Sequence, residues 1–205
     1  MDSLLNRKAQ LITYDRPGYG FSGLGNSLTS IEKQADVAAA LIDRLIPSKS
    51  FILIGVSYGG PIACRLAARY GSRVRGIVLG APALAPGEER TFKISYPMTW
   101  WATKWMFPRM LTAASAEKFA HKAELEKTAP SYGTLDIPLI YLQGLDDNVV
   151  FPSNALYLQQ HFTCLPYLEI NMIPQQTHFL SYPQKDRLVD ALLRMLQLSG
   201  MEKSR

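Results

Sequence analysis

Gly55-Val56-Ser57-Tyr58-Gly59 carries the pattern G-x-S-x-G directly after the apolar run Phe51-Ile-Leu-Ile and directly before a helical stretch. A serine in that place sits on a sharp strand-to-helix turn that pushes its Oγ into the open. Small residues at both flanks, Gly55 and Gly59, are expected because bulk there would collide with neighbouring backbone. Such a serine becomes a nucleophile only when a base takes its proton and an acid orients that base. The chain has three histidines. His178 lies in Pro174-Gln-Gln-Thr-His178-Phe, a loop after the last strand and before the last helix, at the end of the sheet where open α/β folds bind ligands. It is the candidate base. His121, in a charged helical run, and His161, closing a helix after Pro152, are expected as surface or partly buried side chains. For the acid, Gly144-Leu145-Asp146-Asp147-Asn148 follows another strand. Two adjacent aspartates point in different directions, so one reaches the histidine and the other serves the loop; spacing alone does not separate them.

Positioning these groups requires strands that end on one side. Apolar runs predict strands at Gln10 to Tyr14, Phe51 to Gly55, Gly76 to Gly80, Leu139 to Gln143 and Tyr167 to Met172. Helical periodicity predicts helices over Ile31 to Ile46, Pro61 to Tyr70 and Lys185 to Leu198, the first opened by Thr29 or Ser30 and closed before Pro47. Strands alternating with helices imply an α/β fold, a mostly parallel sheet flanked by helices. The stretch from Ala85 to Thr134 breaks the alternation. It opens on Pro86-Gly87-Glu88-Glu89, carries Tyr96, Trp100, Trp101, Trp105 and Phe107, and closes on a charged helical run around Glu117 to Lys127. A helical insertion over the sheet is expected there. The whole of 1–205 then forms a single domain, with a core from 1–84 and 135–205 and the insertion at 85–134.

Composition narrows the rest. With 47% apolar and 19% charged residues, the 205-residue chain is neither disordered nor fibrous. The net charge of +5 is scattered apart from a short tail at Lys203 and Arg205, so no nucleic-acid partner is expected. Cys64 and Cys164 form no C-x-x-C pair, so neither a zinc cage nor a disulfide scaffold is indicated, and both are expected as buried thiols. Gly18-Tyr-Gly20-Phe-Ser-Gly23 is formally a G-x-G-x-x-G, but the next helix opens only near Ser30, too late for a dinucleotide turn.

Taken together, these motifs resemble the α/β-hydrolase superfamily over essentially the whole chain. The resemblance rests on Asp15-Arg16-Pro17-Gly18-Tyr19-Gly20-Phe21-Ser22 after a strand, the Gly55 to Gly59 elbow, Gly144 to Asp147 with Val149, Val150 and Pro152 behind it, and His178-Phe179. The order Ser57, Asp147, His178 is the superfamily's own. It implies Asp147 as the acid, three residues after the loop glycine, although Pro152 comes one residue later than usual. It also implies the backbone N–H of Tyr58 as one oxyanion donor, a lid at 85–134, and no metal or organic cofactor. Serine at the elbow sets the chain apart from relatives that place aspartate there.

The resemblance leaves gaps. The family's second oxyanion donor comes from a loop that usually carries a His-Gly pair, and this chain has none. Residues 1–9 read as the helix that follows that loop. The chain is therefore expected to begin inside the domain, N-terminally incomplete, lacking the family's first three strands and the second donor. Losing one such donor costs about 100 to 1000 fold in turnover. The expected function is that of a serine hydrolase acting on an ester or related acyl compound; a catalytically impaired or non-catalytic fragment or binding protein of the same fold is the alternative. Trp100, Trp101 and Trp105 are candidate pocket residues for an apolar acyl or aromatic small molecule. Tyr96 to Leu111, flanked by Lys93, Lys104 and Arg109, also has the composition of an interfacial anchor, but a lid shares it, so membrane association is not expected. No secretory leader is visible, which makes the cytoplasm the expected location if Met1 is the true start.

Overall fold

The computed structural model describes residues 9–22, 28–178 and 185–200. Helix α1 (Ile31–Leu45) opens at Ser30, whose side chain accepts the N–H of Lys33, and buries Ile31, Ala35, Ala38 and Ala39. Strand β1 (Phe51–Val56) leads into α2 (Gly59–Tyr70), and β2 (Val74–Gly80) follows after one turn closed by Gly71 at φ 52°. The short α3 (Ser95–Thr99) and the long α4 (Arg109–Thr128) lie between β2 and the next strand. Then come β3 (Leu139–Gly144), α5 (Asn154–His161), β4 (Leu168–Ile173) and α6 (Lys185–Leu198).

The four strands form one parallel sheet in the order β1-β2-β3-β4. Alternation within β2 and β3 divides the core. Ile77, Leu79, Leu139 and Tyr141 face α2 and α5 with Cys64 and Leu158, whereas Val78, Ile140 and Leu142 face α6 through Leu192, Met195 and Leu196. With both faces covered, β2 and β3 read as unbroken apolar runs. At Gly76 an added Cβ would stand 2.1 Å from Met195 Sδ, so a glycine there lets α6 lie close to the sheet. Register aligns Val56 with Gly80 and Gly144 with Ile173, which puts the turns carrying Ser57, Asp147 and His178 at one end of the sheet.

Three expectations need correction. Residues 10–14 form no strand: Ile12 and Tyr14 are exposed, and among the described residues β1 pairs with β2 alone. A strand exists only where a neighbour takes its N–H and C=O groups, and the run at Gln10 to Tyr14 has none, so its apolar composition does not suffice. Ile54, on the outer strand β1, is 37% exposed. Of the two cysteines, Cys64 is buried, where burial pushes its thiol pKa up, but Cys164 is exposed. It lies in the turn between α5 and β4 rather than on a packed face. Finally, His121 is fully buried. Of the helix expected over residues 1–9, all but Ala9 lies outside the described residues, as do Phe179 and the tail at Lys203 and Arg205, and Ala9 is not helical.

Candidate active site

The turn after β1 is strained as its sequence predicts. Ser57 holds φ 51°, a left-handed conformation that disfavours a side chain and costs about 1 to 3 kcal/mol unless its surroundings enforce it. Here they do. Ser57 N–H donates to Gly80 O at 2.9 Å, and Ser57 O accepts from Gly60 N at 3.0 Å and Ala83 N at 3.2 Å. At Gly55 a Cβ would stand 2.7 Å from Gly59 O, so that flank must be glycine. Gly59 itself has open space around it; the second tight position is Gly60, where a Cβ would meet Pro82 Cβ at 2.4 Å. Crowding thus falls one residue later than the motif implies, because the chain leaving β2 crosses over the first turn of α2.

On the far side of the site, the loop after β4 presses against the end of β3. A Cβ on Gly144 would come 2.1 Å from Gln176 O, and Asp146 N–H donates to that same oxygen at 3.0 Å. This contact brings His178 to Asp147. Asp147 Oδ2 accepts from His178 Nδ1 at 2.8 Å, and His178 Nε2 lies 3.0 Å from Ser57 Oγ. Because an ionised carboxylate only accepts, Nδ1 carries the hydrogen and Nε2 accepts the Ser57 hydroxyl. Asp146 is exposed and takes no part.

Asp147 is 3% exposed and fully supplied with donors. Val149 and Val150 N–H groups both donate to Oδ1 at 2.9 Å, and Gln143 Nε2 donates to Oδ2 at 2.9 Å. Burial raises the carboxyl pKa, but the His178 hydrogen bond and the two backbone N–H groups outweigh it and hold the group below the usual carboxylate range. Gln143 is fixed in turn by Tyr141, whose hydroxyl donates to Gln143 Oε1 at 2.8 Å. Neither residue was singled out by sequence; the available signal was a glutamine closing the otherwise apolar strand Leu139-Ile-Tyr-Leu-Gln.

A second polar group backs Tyr58, the residue after the serine. Tyr58 is the N-cap of α2, so its N–H lies at the helix N-terminus, where backbone donors can meet an anion. The Arg16 guanidinium lies 4.7 Å from the Tyr58 ring centroid and pairs with Glu117 of α4 at 2.9 Å. Tyr19 and Gln34 also donate to Glu117, so the Asp15 to Ser22 motif ties α1, α4 and the elbow together. His121 stacks on Tyr58 with centroids 4.6 Å apart, and its Nδ1 lies 2.6 Å from Glu89 Oε1. Lys118 also pairs with Glu89 at 2.9 Å. Burial raises the Glu89 pKa, but His121 and Lys118 outweigh it and hold the carboxyl below its usual range. His161 is exposed and stacks on Tyr157.

The tryptophans are not gathered into this group. Trp100, Trp101 and Trp105 are 55, 77 and 78% exposed, on the stretch around α3. Among the described residues no three His, Cys, Asp or Glu side chains could together hold a metal ion.

Comparison with known proteins bears on the fold. A family model described as the alpha/beta hydrolase fold matches residues 1–111. Curated protein sequences yield no match. Among solved structures, a meta-cleavage product hydrolase from Pseudomonas fluorescens IP01 superposes with a TM-score of 0.63 at 18% identity, over 89% of this chain and 78% of that one. A thermophilic esterase from Thermogutta terrifontis gives 0.62 at 20% identity, over 90% and 78%. A peroxisomal alpha-beta-hydrolase from Saccharomyces cerevisiae gives 0.69 at 14% identity, over 93% and 67%. At such identities the likeness is one of fold.

Proposed function

This chain belongs to the α/β hydrolase fold family, and from that premise we propose that it is a serine hydrolase cleaving an ester or related acyl compound through an acyl-enzyme. The reading is carried by one observation, the continuous hydrogen-bonded line from Ser57 through His178 to Asp147 at 3.0 and 2.8 Å. In the proposed reaction Ser57 Oγ attacks the acyl carbon while His178 Nε2 takes its proton. Asp147 stays ionised, holds the ring in the tautomer that leaves Nε2 free to accept, and balances the imidazolium that forms. The carbonyl oxygen becomes an oxyanion facing the Tyr58 N–H. His178 then returns the proton to the leaving alkoxide, and a water activated by the same nitrogen releases the acid and restores Ser57.

The strained φ of Ser57 and the depressed pKa of Asp147 support this assignment, and the esterase from Thermogutta terrifontis is a structural neighbour with such an activity in its name. The exposure of Trp100, Trp101 and Trp105 gives no support to a closed aromatic pocket, so the substrate is proposed at the level of an acyl ester. Hydrolysis of p-nitrophenyl acetate and butyrate tests the reading. Turnover above buffer that disappears in Ser57→Ala is expected. Turnover equal in Ser57→Ala, or none from the folded chain, would overturn it.

A further inference from the structure

The stretch 92–111 exposes an unusual amount of apolar surface. Nine of the nineteen large hydrophobic side chains exposed among the described residues fall within these twenty positions, with Tyr96, Trp101, Trp105 and Met106 each more than 60% exposed. An apolar patch of this extent on a soluble fold marks a surface that something else covers. The stretch is also firmly held from below. Thr103 donates to Pro97 O at 2.5 Å, Ser115 of α4 donates to Met98 Sδ at 3.4 Å, and the Tyr96 ring packs against Phe119 with centroids 5.0 Å apart. Trp105 Nε1 already donates to Ala102 O at 2.9 Å, so its ring can leave water without stranding a donor.

Charge decides what the occupant is. From position 90 to position 116 the sequence has no Asp or Glu, while Arg90, Lys93, Lys104 and Arg109 are all exposed among the aromatics. A second copy of this chain meeting the first through the same face would bring cations against cations. An anionic lipid surface instead meets the cations with headgroup phosphates and the indoles with the interfacial layer that tryptophan prefers. No helix among the described residues is long and apolar enough to cross a membrane, so contact would be made from one side. The sequence composition of Tyr96 to Leu111 fits a lid and an anchor equally; the side-chain exposure distinguishes them. We propose that residues 92–111 form a docking face for anionic phospholipid membranes, inserting Trp101, Trp105 and Met106 between headgroups that pair with Lys93, Lys104 and Arg109.

The chain's own fluorescence tests this directly, because its three tryptophans all lie on the proposed face. Vesicles of equal parts phosphatidylglycerol and phosphatidylcholine should shift the emission to the blue, and brominated acyl chains should quench it. Pure phosphatidylcholine should bind at least about tenfold more weakly, since each basic residue near an anionic surface strengthens binding about fivefold. The triple reversal Lys93→Glu, Lys104→Glu and Arg109→Glu should raise the lipid needed for half-saturation at least about a hundredfold. A variant that misfolds is replaced by a salt titration of the unmodified chain, in which binding should weaken steadily with ionic strength. No blue shift with anionic vesicles overturns the proposal. Equal binding to both vesicle types overturns it too, as does a blue shift that needs only higher protein concentration, the signature of self-association. The measurement reads binding and not turnover, so it stands or falls separately from the role of Ser57.

Discussion

Two carboxylate–imidazole pairs stand on either side of the Ser57–Tyr58 turn. In one, Asp147 holds His178 at 2.8 Å; in the other, Glu89 holds His121 at 2.6 Å. Both carboxyls are kept below their usual pKa range by the imidazole they hold and by further donors. They differ in what the second ring nitrogen meets. His178 Nε2 faces Ser57 Oγ, on a loop at the open end of the sheet, whereas His121 Nε2 is buried without a hydrogen-bond partner. His121 uses its ring face instead, stacking on Tyr58. A carboxylate holds a histidine in either setting; the two differ in what lies beyond the ring, a serine hydroxyl for His178 and a packed interior for His121.

Mutation should widen that difference most. His178→Ala and Asp147→Asn are each expected to cut ester turnover at least about a thousandfold, because the serine loses its proton acceptor or the ring loses its tautomer. His121→Phe keeps a ring against Tyr58 and removes the unpartnered nitrogen, so turnover should stay within about threefold. A comparable loss in His121→Phe would place the second pair in the chemistry and erase the comparison. Steady-state kinetics on a p-nitrophenyl ester reads all three.

Smaller effects should follow at the next layer out. Gln143→Leu removes one donor from Asp147 and leaves the Tyr141 hydroxyl without its acceptor. Turnover should fall about tenfold, and denaturant unfolding should show about 1 to 3 kcal/mol of lost stability from the buried unpaired group. If kcat is unchanged while stability falls, Gln143 supports the strand and not the acid.

The mildest test is acid stability. Asp147 and Glu89 have depressed folded-state pKa values, so each stabilises the fold fully above the unfolded carboxyl value of about 4 and loses that contribution as pH falls through its lower folded value. Glu89→Gln should flatten the fall in stability below about pH 4 while the turnover profile near neutrality keeps its shape. Asp147→Asn should flatten the same limb and abolish turnover as well. Urea midpoints measured across pH 3 to pH 7 would show both.

Much of the positioning machinery was legible in the sequence because it is local. Apolar runs located β1 to β4, and the periodicity of Lys185 to Leu198 located α6 with its observed bounds. Ser57 and His178 stood out by their turns. Choosing Asp147 over Asp146 took the family resemblance, since neighbouring aspartates differ only in which way a folded loop turns them. What local pattern could not show depends on distant partners. Gln10 to Tyr14 has strand composition but no neighbouring strand to pair with. Arg16 and Glu117 meet across 101 positions, and Glu89 and His121 meet only because α4 folds back over the elbow. The tryptophans were legible as an aromatic cluster, and their exposure is what the folded structure adds.

The central claim is that Ser57 is activated by His178 and not by the second pair. A fluorophosphonate probe, followed by peptide mass mapping, tests it most directly, since only an activated serine is modified at a useful rate. The folded chain and His121→Phe should both carry the label on Ser57, and His178→Ala should carry almost none. Labelling that survives His178→Ala but is lost in His121→Phe would contradict the account.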